Sequence, residues 1–106
     1  MKATLTCIAI LSLTVFITTP AFSQNAGADT YKAKCAMCHG ADGLGTTPAG
    51  KSLKAASFKD PALVKKSDAD LIAVVESGKN KMPAYKGKLT DAQITAAVAY
   101  IRTLQK

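Results

Sequence analysis

Two cysteines three positions apart, followed at once by a histidine, form the densest chemical signal in this chain: Cys35-Ala36-Met37-Cys38-His39. On one helical turn, thiols at that spacing can each add to a vinyl group of haem, and an imidazole directly after them is placed to ligate the iron. That is the c-type haem attachment pattern. The same Cys-x-x-Cys could instead be a thioredoxin-like redox pair, half of a zinc site or a short disulfide. The redox pair calls for a flanking βαβ pattern, and no strand-like alternation surrounds the motif. Zinc calls for four ligands, and the only other cysteine is Cys7, in a segment expected to be removed. A disulfide leaves His39, the only histidine in the chain, without a purpose.

Haem iron has two axial positions, and the second ligand separates electron transfer from ligand chemistry. No second histidine exists. Of the three methionines, Met1 opens the chain and Met37 lies between the cysteines, which leaves Met82. A lone methionine usually fills a core. Met82, however, stands in an aperiodic stretch running from Gly78 to Tyr85, and Pro83 stiffens the backbone where a ligand has to be held.

The elements that position these residues read as helices throughout. Ala28, Tyr31, Cys35 and Cys38 recur as one helical stripe, so the cysteines ride on the end of a first helix. Gly40, Gly43, Gly45 and Gly50 then punctuate a loop containing Pro48. That loop lacks the flanking strand and helix of a phosphate cradle. Leu53 and Phe58 are isolated apolar residues whose natural surface is the haem face. Asp60-Pro61 reads as an N-cap followed by proline at the first helical position. Ser67 with Asp70 opens a helix that Gly78 stops. Thr90 with Gln93 forms a capping box, Leu89 staples onto Ile94, and the last helix carries Ile94, Ala97, Val98, Ile101 and Leu104 on one face.

Residues 1–23 are expected to be a cleaved signal peptide, with Lys2 as its positive charge, an apolar run from Leu5 to Ile17, and Ala21 and Ser23 at the cleavage site. The run is 13 residues long, short of the roughly 20 needed to cross about 30 Å of hydrocarbon, so no stable membrane insertion is expected. Export to an oxidising compartment such as the periplasm suits a covalently captured thiol pair. The remaining domain, 24–106, has little to bury: the whole chain holds three Phe, three Tyr and no Trp. A bound macrocycle would supply the missing core. The chain carries 14 Lys and Arg against seven Asp and Glu. Lysine dominates without interleaved aromatics, so nucleic acid is not the expected partner, and the charge reads as solubility plus docking to acidic protein surfaces. Lys79, Lys81, Lys86 and Lys88 flank Met82 and are the candidates for that docking.

Together, Gly27 and Tyr31, the Cys35–His39 motif, Pro48, Met82-Pro83-Ala84-Tyr85 and Tyr100 resemble the small soluble class I cytochromes c of bacteria and photosynthetic organisms, across the whole of 24–106. The resemblance implies an all-α class I cytochrome c fold, about four helices wrapped around one covalent haem c. First and last helices cross near Gly27 and Tyr100. Cys35 and Cys38 carry the haem, His39 and Met82 are its axial iron ligands, the Pro48 carbonyl accepts from His39, and Leu53, Phe58 and Tyr85 line the cofactor. The implied function is a monomeric exported electron carrier, periplasmic or in a thylakoid-lumen-like compartment, with redox proteins bearing acidic patches as partners and no catalytic turnover. The rival readings are a haem subunit of a dehydrogenase or oxidase complex, and, behind it, a haem sensor or peroxidase-like protein. Against the last, no distal His or Arg stands near Met82 to assist peroxide cleavage.

Overall fold

A computed structural model describes residues 14–17 and 24–106. The expected leader and its cleavage after Ser23 lie outside the described residues, apart from an exposed, non-helical piece at 14–17.

Among the described residues there are six helical segments: α1 (Gln24–Lys34), α2 (Ala36–His39), α3 (Pro48–Leu53), α4 (Pro61–Val64), α5 (Asp68–Ser77) and α6 (Asp91–Leu104). No strand occurs among the described residues, only two isolated bridges. The count exceeds the expected four for two reasons. The first helix breaks at Cys35 into α1 and α2, although His39 N–H still donates to the Cys35 carbonyl (2.9 Å). The glycine-punctuated loop also contains α3, started by Thr47 as N-cap and Pro48 at the first helical position.

The caps act as their residue types dictate. Asp60 accepts from Ala62 N–H, Ser67 from Asp70 N–H, and Thr90 and Gln93 satisfy each other's backbone in a full capping box. Each such cap stabilises its helix by about 1 kcal/mol. Gly78 ends α5.

The principal packing is α1 across α6. At the crossing, Gly27 lies so close to α6 that a Cβ would collide with the Ala96 carbonyl and press on the Tyr100 Cβ. Glycine is needed there for approach, not for conformation. α6 then supplies both halves of the core. Ile101 joins Tyr31 and Phe58 in one cluster, with Cys35, Leu63, Tyr100 and Leu104 packed on it. Ile94 and Val98 join Val75 in a second, with Leu71, Met82, Tyr85 and Leu89 packed on that. Only seven hydrophobic side chains are buried among the described residues, a small core for a domain this size.

Candidate haem site

Between the two clusters lies a cavity of about 310 Å³. Cys35, Cys38 and His39 line it from the α1–α2 side, Leu71, Val74 and Val75 from α5, and Met82, Pro83 and Tyr85 from the α5–α6 connection; Leu53 and Phe58 line it as well. The sequence-predicted residues thus converge on one apolar space, with the single exception of Pro48, which does not line it.

His39 is held in the state a metal ligand requires. Its Nδ1 lies 3.1 Å from the Ala56 carbonyl. A carbonyl can only accept, so Nδ1 carries the hydrogen and Nε2 keeps its lone pair. Burial pushes the imidazole pKa below its ordinary value, partly offset by the bond to Ala56, which favours the neutral, ligating form. Phe58 stacks on the ring, centroids 4.5 Å apart and planes 20° from parallel. The expected partner of His39, the Pro48 carbonyl, is therefore replaced by that of Ala56. The reason is α3: as its first residue, Pro48 points its carbonyl along the helix toward the i+4 amide. The chain then returns to the imidazole only after the left-handed turn at Lys54.

No disulfide joins Cys35 and Cys38. Burial, and then the neighbouring Cys38 charge, push the Cys35 thiol up to about 11. In this setting the Cys35 sulfur is no ready thiolate, which argues further against a zinc pair or a reactive redox couple. The carbonyls inside the motif are tied down: the single Thr47 hydroxyl hydrogen is shared between Met37 O (2.7 Å) and Cys38 O (3.1 Å) while Oγ1 accepts from Gly50 N–H. Tyr31, almost wholly buried, donates its hydroxyl to Gly40 O at 2.6 Å. The sequence reading does not anticipate Thr47 or the Ala56 carbonyl. Thr47-Pro48 carries the same cap-then-proline signature as Asp60-Pro61, whereas a backbone carbonyl leaves no mark in the sequence.

Opposite, Met82 is fixed by backbone chemistry. Lys79 and Met82 exchange both N–H to carbonyl hydrogen bonds (3.1 and 2.9 Å) across a tight turn in which Asn80 adopts positive φ, a conformation asparagine tolerates. Tyr85 N–H and Lys86 N–H donate to Val75 O and Glu76 O, satisfying terminal carbonyls of α5. Tyr85 also donates its hydroxyl to Lys34 O (3.0 Å), linking the Met82 side to the residue before Cys35. The cavity mouth is positive: Lys34, Lys54, Lys66, Lys79 and Lys81 line it, with no acidic residue. The four lysines that flank Met82 thus divide, since Lys86 and Lys88 do not line the cavity.

These residues fit a haem: paired thiols beside a neutral imidazole with Nε2 free, a thioether across an apolar cavity, and ammonium groups at the rim for the propionates. Comparison with known proteins agrees. The family described as cytochrome c oxidase, cbb3-type, subunit III matches residues 23–101. A cytochrome c6 of a Synechococcus species is 38% identical, the alignment covering 95% of this chain and 91% of that protein. A cytochrome c6 of a Nostoc species is 36% identical, covering 92% and 86%. The solved structure of the KustC0563 c-type cytochrome superposes with a TM-score of 0.69 at 34% identity, covering 76% of this chain and 98% of that one. On fold, motif and relatives alike, the chain belongs to the class I cytochrome c family and carries one covalently bound haem c.

Proposed function

We propose that this chain is an exported, monomeric electron carrier, attached to its haem through Cys35 and Cys38, with His39 and Met82 as the axial ligands. The observation that carries the reading is the convergence of both thiols, the free Nε2 of His39 and Met82 on one apolar cavity. When bound, haem c supplies a reversible Fe(II)/Fe(III) couple. The chain's own residues do the rest. Ala56 O orients the imidazole, Thr47 and Tyr31 hold the attachment turn, and the apolar walls from α5 and α6 exclude water. His39 and Met82 would together hold the iron, which would leave no open site there for a substrate.

Export is supported by the composition of residues 1–23. No helix among the described residues is long and apolar enough to cross a membrane. The periplasm or a thylakoid-lumen-like compartment is the proposed location. The five lysines at the cavity mouth support partners with acidic docking patches, steered by charge. A second reading, a haem subunit of an oxidase complex, is favoured by the description of the matching family. We prefer the free carrier because the cytochrome c6 relatives align over nearly their whole length.

The test is a potentiometric titration with spectra on wild type and Met82→Ala. The wild type should titrate as a single one-electron couple with the weak far-red absorption of a sulfur-to-iron transition. Met82→Ala should lose that absorption, show a lower potential and bind added cyanide or azide. A high-spin wild-type spectrum would overturn Met82 ligation, and co-purification in a stoichiometric complex would favour the subunit.

A further inference from the structure

Arg102, the only arginine, makes more polar contacts than any other described side chain. It projects from the last turn of α6 toward the corner where α4 passes into α5. Its Nε donates to Asp68 Oδ1 at 2.8 Å, its Nη1 lies 3.5 Å from Val64 O and 2.9 Å from Gln105 Oε1, and its Nη2 donates to Lys66 O. Val64 is the last residue of α4, Lys66 lies in the connection, and Asp68 is the first residue of α5. One planar fork therefore meets three successive pieces of chain, satisfying carbonyls at a helix end and an acid at a helix start.

The corner has little else to hold it. The α4 backbone stands apart from the other helices among the described residues, and its main apolar anchor is the Leu63 side chain, which rests on the Tyr31, Phe58 and Ile101 cluster. Yet the corner is a wall of the haem cavity. Leu63 and Lys66 line it, and α5, which the corner launches, adds Leu71, Val74 and Val75.

We propose that Arg102 is a positioning residue for electron transfer: by clasping the α4–α5 corner onto α6 it keeps that wall closed against the haem and so helps set its potential. The inference rests on the haem carrier reading above. Its physical basis is that water admitted at this wall favours the more highly charged ferric centre. Loosening the clasp therefore lowers the potential. The charge of Arg102 acts in the same direction, so the variant must keep it.

The experiment uses holoprotein of wild type, Arg102→Lys and Asp68→Asn, with potentiometric titration and amide hydrogen exchange. Lysine keeps the charge and loses the fork. Asp68→Asn removes only the charge of the most exposed partner, 69% accessible, and leaves the carbonyl clasp. In Arg102→Lys, the amides of Val64, Lys65 and Lys66, which are hydrogen-bonded within the corner, should exchange about tenfold faster or more. Those at the α1–α6 crossing should be unchanged, and the midpoint potential should fall. Asp68→Asn should stay close to wild type in both. An unchanged potential and corner exchange in Arg102→Lys overturns the inference. So does exchange that rises equally at the α1–α6 crossing, or a shift in Asp68→Asn as large as in Arg102→Lys. A wild type that holds no haem would instead overturn the carrier reading, before any variant is compared.

Discussion

Gly78→Ala should detach Met82 from its position, and the cost can be worked out from the backbone. Gly78 has φ 74° and ψ 168°, a region held almost exclusively by glycine, where another residue costs about 1–3 kcal/mol. A Cβ there would stand 2.7 Å from Met82 O, 2.9 Å from Ala84 N and 3.0 Å from Pro83 C. Crowding of that kind typically costs a further ~1–3 kcal/mol unless the neighbours move. The neighbours are the Met82 segment, so relief of the clash and displacement of Met82 are the same event. The two terms sum to at most about 6 kcal/mol, and because the Met82 segment yields and relieves much of the crowding the net loss is about 2–3 kcal/mol, from a total that for small domains is about 5–15 kcal/mol. At ~4–8 °C per kcal/mol, the melting temperature should fall by about 10–20 °C. Gly87 is the internal control. It too has positive φ, 82°, but a Cβ on it would meet nothing within 4 Å, so Gly87→Ala should cost only the backbone term, about 1–2 kcal/mol. Calorimetry with far-red absorption on both variants makes the comparison. Equal destabilisation, with the far-red absorption kept in Gly78→Ala, would refute the reasoning.

The lysines at the cavity mouth give a second expectation: Lys79→Glu with Lys81→Glu should slow electron transfer to an acidic partner far more than Lys59→Glu with Lys65→Glu, which do not line the cavity. The rate should fall as salt shortens the Debye length from about 10 Å at 0.1 M to about 3 Å at 1 M; stopped-flow rates indifferent to salt and to both pairs would assign the lysines to solubility. A third concerns pH. Burial holds His39 below its ordinary value of 6.5, so on acidification the unfolded chain takes up a proton that the folded chain refuses. The His39 contribution to stability is then fully present above 6.5 and declines as the pH falls below it, and the denaturation midpoint should drop on acidification through that value. A flat or rising midpoint would contradict the assignment.

Much of the site is legible in the sequence because its chemistry sits in side chains at fixed spacing. Cys35, Cys38 and His39 announce themselves, and Met82 follows by elimination. The long helices are legible from caps and stripes: Ser67 with Asp70, Thr90 with Gln93, and the Ile94 to Ile101 face all appear as their residue types require. What escapes is carried by backbone or by distance. The Ala56 carbonyl has no side-chain signature, and the role expected of Pro48 fails because α3 is hidden among glycines that read as loop. Lys66 is remote from Met82 in the sequence, yet the α4–α5 corner brings both to one cavity. Arg102 meets its partners across 34 to 38 positions, a range over which helical periodicity says nothing.

Covalent attachment of the haem to the Cys35–His39 turn can be read from mass spectrometry of a tryptic digest of the purified holoprotein. Lys34 and Lys51 bracket the motif. The peptide 35–51 should carry one haem, with neither cysteine alkylatable and the pigment retained through acid-acetone extraction. A haem-free 35–51 peptide with two alkylatable thiols would contradict it.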